Sequence, residues 1–262
     1  MTNAALHVAR TGLDAQNERM RVIANNLANV NTTGFKRERA QFETLAYQSI
    51  TAPGAPSSAD NKYATGLNLG SGVSIAATSR SDSQGSLQQT DNALDMAIEG
   101  GGFFQITRPD GTMAYTRDGS FQLSDQGTIV TSDGMPLTPQ IQVPDGATQI
   151  TVGADGTVSA TMQGATAPTV LGQIQTARFM NPAGLQAVGS NMLVETPASG
   201  APQVGNPGVD GRGTVRSGNL ESSNVNVVEE LVDMIETQRG YEVNSKLIKA
   251  TDEMLQTANQ QL

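Results

Sequence analysis

Two apolar stripes with one period stand at opposite ends of the chain. Leu6, Leu13, Met20 and Leu27 recur every seven residues, and Ala9, Gln16, Ile23 and Val30 repeat that interval three positions on. At the far end Met234, Tyr241, Ile248, Leu255 and Leu262 keep the same spacing, with Thr237, Asn244, Thr251 and Ala258 three positions after the first four. A pattern of this period places its residues along one seam of a helix that packs against another helix. The spacing predicts helices over 1–31 and 225–262, the second running to the last residue. Glu229 and Glu230 near its start suit the positive end of the helix dipole. The first seam is oily apart from Gln16. The second alternates large with small or polar residues, which suits close helix approach. An amphipathic helix with a wet apolar face is marginal, because its stability comes from packing. Each helix therefore calls for a partner, either the other helix or another subunit.

The first helix ends in "ANNLANVNTTGFK", residues 24–36. Asn25, Asn26, Asn29 and Asn31 are poor helix formers, yet Leu27 and Val30 continue the stripe. Two threonines and Gly34 then predict a stop near Asn31. Weakness in isolation suits a helix that forms only in an assembly, where asparagine amides bond neighbouring chains or backbone. Lys36, Arg37 and Arg39, interrupted by Glu38, read as a solvated turn.

The middle of the chain has another character. Residues 50–72 are rich in Gly, Pro, Ser and Ala and read as an extended or loop region. From about 91 to 215, Asp-Gly pairs at 110–111, 118–119, 133–134, 145–146, 155–156 and 210–211 alternate with short β-prone runs such as "GFFQIT" and "GTIVT". Asp-Gly is a favoured hairpin turn pair. The fold class is therefore α+β: terminal helices forming a coiled-coil-like layer, an inserted small antiparallel β domain, and an extended linker region. The divisions are a helix over 1–31, an extended connection over 32–90, the β domain over 91–205, a return connection over 206–224 and a helix over 225–262.

Chemistry is hard to build from these residues. The chain has 262 residues, a formal charge of −9 and no cysteine, which removes thiolate metal sites, disulfides and cysteine nucleophiles. No basic stripe exists for nucleic acid, and no apolar run reaches the roughly 18 residues of a membrane helix. The start lacks an apolar signal region, so export would use another route. The lone histidine, His7, has no ligand spacing or nucleophile motif around it and reads as an exposed or interfacial helix residue. "EGGGFFQI" at 99–106 fails as a phosphate loop, since Gln105 stands where a third glycine is needed. Asp91, Asp95 and Glu99 read as a solvated acidic face. The sequence predicts no catalytic residue, no cofactor and no metal.

Three long blocks together resemble one family, the bacterial flagellar rod and hook axial proteins. They are the 24–36 stretch, residues 97–137 beginning "AIEGGGFFQITRPDG", and residues 218–262 beginning "GNLESSNVNVVEELV". The matching positions include Asn25, Asn26, Asn29, Asn31, Gly34, Phe35, Gly102, Phe103, Phe104, Asn224, Val225, Gln238, Arg239 and Tyr241. Within the family, the block at 223–232 and the segment 46–75 are similar to those of distal rod subunits; proximal rod or hook subunits are the alternative. Gly240 departs from the alanine the family prefers, at about 1 kcal/mol of helix propensity. The resemblance implies a structural subunit without enzymatic activity. On that resemblance it would polymerise into a hollow, stiff helical shaft that crosses the periplasm and transmits torque. Leu6, Leu13, Met20, Ile23, Leu27 and Val30 on one helix, and Met234, Tyr241, Ile248, Leu255 and Leu262 on the other, would be the assembly stripes. The implied partners are further copies of the chain, proximal rod proteins, the hook protein, the P-ring and L-ring proteins as bushing, and the flagellar export apparatus. The segment 46–75 would pack against neighbouring subunits and stiffen the shaft.

Overall fold

The computed structural model describes residues 2–54, 64–164 and 167–260, with side chains at all of these but 2, 3, 255 and 258–260. The chain forms two compact units. The first gathers Met1–Leu27, Glu38–Ser79 and Asn226–Leu262; the second gathers Ala28–Arg37 and Arg80–Val225.

The first unit contains helix α1 (Thr2–Ala28), strands β1 (Glu38–Thr44), β2 (Gln48–Thr51), β3 (Leu67–Leu69) and β4 (Val73–Arg80), and helix α2 (Val227–Gln260). β1 pairs with β4, and β2 pairs antiparallel with β3. The region expected to be an extended connection thus carries strands. Asn226 sets the start of α2: its carbonyl accepts from the Glu230 N–H at 3.0 Å, and its side-chain oxygen accepts from the Val228 N–H at 3.1 Å. This N-cap satisfies a donor that the helix start would otherwise leave unpaired.

The two helices pack antiparallel. Asn26 Nδ2 donates to Glu230 Oε2 at 3.1 Å, and Arg19 pairs with Asp233 at 3.2 Å. Further along, a Cβ on Gly240 would lie 3.2 Å from the Gln16 amide carbon, and one on Gly12 would lie 3.1 Å from the Asn244 amide nitrogen. Numbers rise along one helix as they fall along the other. The glycines explain the close approach anticipated from the small residues of the second seam. Gly240, costly by propensity, leaves the space in which the Gln16 side chain sits.

The second unit is built of strands β5 (Leu87–Gln89), β6 (Met96–Glu99), β7 (Phe103–Thr107), β8 (Met113–Thr116), β9 (Phe121–Leu123), β10 (Ile129–Thr131), β11 (Ala147–Val152), β12 (Thr157–Met162), β13 (Thr169–Gln173), β14 (Thr176–Arg178), β15 (Gln186–Gly189), β16 (Met192–Val194), β17 (Gln203–Gly205), β18 (Thr214–Ser217) and β19 (Asn219–Glu221). Its centre is an antiparallel six-stranded sheet in the order β15–β16–β8–β7–β14–β17. Successive side chains of a strand point to opposite faces, and both faces of β7 are covered. Phe104 and Ile106 join a cluster with Met96, Ile98, Phe121, Leu137 and Ile174, while Phe103 joins Tyr115, Phe179, Leu185 and Leu193. Phe104 meets Phe121 edge-on at 5.2 Å, and Tyr115 meets Phe179 edge-on at 4.8 Å. Burial does not alternate along β7: Phe103, Phe104, Gln105 and Ile106 are all buried, the polar Gln105 included, because neither face is wet.

The Asp-Gly pairs close loops in a recurrent way. Asp110 accepts from both the N–H and the hydroxyl of Thr112, Asp118 does the same with Ser120, and Asp155 with Thr157. These bonds favour the charged carboxylate and hold Asp110 and Asp155 below the ordinary carboxylate pKa, the Thr112 and Thr157 hydroxyl bonds being the largest cause.

Candidate assembly surfaces

The predicted stripes fall on two kinds of surface. On α1, Ile23 is buried, whereas Leu6, Leu13, Met20 and Leu27 are half-buried. The residues most fully covered on this helix are Ala9, Ala15, Val22, Ile23 and Asn26. The covered face is thus turned away from the leucine line, which keeps part of its apolar surface open. Val30, just past the helix, is half-buried. On α2, Met234 and Ile248 are half-buried, Thr237 is fully buried and Tyr241 is exposed. The side chain of Leu255 and all of Leu262 lie outside the described residues.

A second apolar line on α2 escaped the heptad reading. Val228, Leu231, Val232, Ile235, Val243, Leu247 and Met254 are all exposed, Val228 at 70% and Met254 at 64%. Their positions, 228, 231, 232, 235, 243, 247 and 254, fall within one side of the helix, with a break between 235 and 243. The signal was present in "NVVEELVDMI", whose apolar residues outnumber what one seam can bury. Contiguous exposed apolar side chains of this kind mark an interaction surface. The β2–β3 hairpin has a similar character: Tyr47 is 62% exposed and Ile50 58%, with Leu67 and Leu69 also exposed. Part of the predicted 46–75 segment, residues 55–63, lies outside the described residues.

The family-motif positions divide in the same way. Asn26 is buried in the first unit, where its amide brackets the backbone of Glu38: Oδ1 accepts from the Glu38 N–H and Nδ2 donates to the Glu38 carbonyl, both at 2.9 Å. This asparagine serves its own chain's backbone and the Glu230 carboxylate. Asn25 and Asn31 are exposed and Asn29 is half-buried. Gln238, Arg239 and Tyr241 are exposed on α2.

In the second unit Phe103, Phe104, Gly102 and Val225 are buried and Phe35 is half-buried. Gly34 has φ of +69°, and a Cβ there would lie 2.6 Å from the Arg117 carbonyl carbon, so both conformation and space call for glycine.

One expectation is overturned nearby. Lys36 is no solvated turn residue; it is 6% exposed, and its Nζ donates to Glu221 Oε1 at 2.6 Å and to the Ser83 carbonyl at 2.8 Å. Glu221 is fully buried, and its other oxygen accepts from Arg117 Nη1 at 3.1 Å. Arg117 also donates to the Gly100 carbonyl at 2.7 Å and lies over the Phe103 ring at 5.4 Å. Burial pushes both the Lys36 and Arg117 pKa values down, and the Glu221 carboxylate opposes that fall. The reason a charged residue sits here is a carboxylate 185 positions away. Arg39, by contrast, is exposed, but it lies in strand β1 rather than in a turn.

Glu99 pairs with Arg216 at 2.6 Å on the surface, and His7 Nδ1 lies 3.2 Å from the Ser71 carbonyl oxygen. Among the described residues no helix is long and apolar enough to cross a membrane, and no group of acidic or histidine side chains has metal-holding geometry.

The paired terminal helices expose apolar faces and the sheet unit is well packed, and no group of catalytic or metal-holding side chains stands among the described residues. Comparison with known proteins gives the family. Residues 6–36 match the family described as flagella basal body rod protein, 97–160 the flagellar hook protein FlgE/F/G D1 domain, and 216–261 the flagellar basal body rod FlgEFG protein C-terminal region. The flagellar basal-body rod protein FlgG of Buchnera aphidicola (subsp. Acyrthosiphon pisum) is 50% identical across 98% of both chains. FlgG of Caulobacter vibrioides is 45% identical across 98% of both, and FlgG of Bacillus subtilis 40% across 96% of both. The chain belongs to the FlgG family of flagellar basal-body rod proteins, a family of structural subunits rather than enzymes.

Proposed function

We propose that the chain is the distal rod subunit, which polymerises into a rigid hollow helical shaft carrying motor torque across the periplasm to the hook. The observation that carries this reading is the second apolar line of α2, exposed in the single chain from Val228 to Met254. Burying such a surface contributes roughly 25 cal/mol per Å² of apolar area. The half-buried leucine line of α1 adds a further open face. Faces that lie on different sides of one subunit make heterologous contacts, and heterologous contacts that do not close generate helical filaments. The exposed side chains of the β2–β3 hairpin support a role for 46–75 in packing against neighbouring subunits and straightening the shaft. On this reading the rod meets proximal rod proteins at one end, the hook protein at the other and the P-ring and L-ring proteins along its length, after delivery by the flagellar export apparatus.

The test is assembly of stripe variants. Leu27→Asp and Ile248→Asp leave the sheet unit folded and stop shaft formation. Normal shafts from either variant contradict the reading. Removing 46–65 yields a shaft that bends more easily under electron microscopy; an equally straight shaft contradicts the stiffening role.

A further inference from the structure

The chain passes between its two units at four places, near residues 27, 37, 79 and 225. The three segments of the second unit next to these passages are 28–37, 80–85 and 221–225, and two side chains bind all of them together. The Glu221 carbonyl accepts from the Gly34 N–H at 2.8 Å. Its carboxylate accepts from Lys36 at 2.6 Å, from the Gly85 N–H at 2.9 Å and from Arg117 at 3.1 Å. Asn224 Oδ1 accepts from the Arg37 N–H at 2.7 Å, and its Nδ2 donates to the Ser81 and Ser83 carbonyls, each at 3.0 Å. A direct backbone bond from Ser81 N–H to the Arg37 carbonyl, 2.8 Å, closes the set.

We propose that Glu221 and Asn224 form a staple that makes segments 28–37, 80–85 and 221–225 of the sheet unit move as one body, so that load arriving along any one of these chain passages is shared by all of them. This rests on the shaft reading above for the source of the load, but the staple itself is a property of one chain. The chemistry suits the task. A carboxylate fully removed from water with two cations and a backbone N–H holds its partners firmly, because pulling it away leaves the buried Lys36 and Arg117 without their counter-charge. An asparagine bonded at both ends to three backbone groups fixes the spacing between their chains. The composition also explains why a lysine beside the turn is buried: it is one arm of the staple.

The test uses the full chain with Glu221→Gln, which keeps shape and removes charge, and separately Asn224→Ala. Hydrogen exchange of the dilute protein is followed by mass spectrometry. In each variant the amides of 34–37 and 81–85 exchange faster together, by about tenfold, while those of β7 and β8 keep their rates. Acceleration of only the segment that lost its bond, or an equal acceleration of β7 and β8, overturns the staple. In a second arm, shafts of Asn224→Ala, tethered and tracked by a rotating bead, show larger torsional fluctuations at unchanged straightness. Unchanged fluctuations overturn the force-carrying role. Failure of the unsubstituted chain to form shafts counts against the shaft reading, and the exchange arm still decides the staple.

Discussion

The two units solve opposite problems with the same chain. The sheet unit covers both faces of its central strand and buries Phe104, Tyr115 and Phe121 almost completely. The helical unit buries a narrow, partly polar seam that includes Asn26, Glu230 and Thr237, with Gln16 half-buried beside it, and leaves valines, leucines and a methionine in water. A large apolar side chain contributes roughly 1.5–3 kcal/mol on full burial. The sheet unit collects that contribution within the chain, whereas the helical unit leaves much of it unrealised in the single chain. On the proposed shaft reading, the difference lets a subunit stay unassembled in dilute solution and gain order where copies accumulate: the sheet unit folds without a neighbour, and the helices gain order from one.

The contrast can be broken from either side. Phe104→Ala removes an aromatic ring from the best-packed place in the molecule and lowers the stability of the sheet unit by about 3–5 kcal/mol in chemical denaturation. A loss below about 1 kcal/mol shows that this core is not what holds the unit. Leu231→Asp on the exposed α2 line changes the stability of the dilute chain by no more than about 0.5 kcal/mol and abolishes polymer in sedimentation; retained polymer places the interface elsewhere. Gly240→Ala sharpens the seam. Helix propensity gains about 1 kcal/mol, and the new methyl meets the flexible end of Gln16. In a Gln16→Ala background the gain appears in full, as raised helicity by circular dichroism. In the native background it is smaller. Equal gains show that Gln16 does not occupy that space.

The smallest effect is on pH dependence. Asp110 and Asp155 have pKa values below the ordinary 3.8. A depressed carboxylate contributes stability that is present above the unfolded value and lost as pH falls through the folded one. The sheet unit therefore weakens below about pH 4, and Asp110→Asn together with Asp155→Asn flattens that acid limb. Both groups are exposed, so the change is slight; an unaltered limb shows that the loops contribute nothing to it.

Periodic features were legible in the sequence. The heptads located both helices, and the Asp-Gly pairs at 110–111 and 155–156 located the β7–β8 and β11–β12 hairpins, because period and turn chemistry are local properties; the pairs at 118–119 and 210–211 instead join strands of different sheets. The small residues of the second seam forecast close approach, which Gly240 and Gly12 provide. Features set by distant partners were not legible. Lys36 reads as solvated until Glu221 stands beside it, and neither residue's surroundings disclose the other. The role of Asn26 depends on the backbone of Glu38, which returns past it only after a turn whose geometry Gly34 dictates. The second line on α2 was visible in composition but hidden by a search for one seam. Val228, Leu231 and Ile235 lie off the heptad that Met234 and Ile248 define.

The central claim is that neighbouring copies complete the helical unit. Hydrogen exchange of α1 and α2, measured in the dilute chain and again in the assembled polymer, tests it most directly. The account predicts fast exchange along both helices in the dilute chain, beside slow exchange in β7 and β8, and strong protection of both helices once polymer forms. Helices already as protected as the sheet in the dilute chain would contradict it.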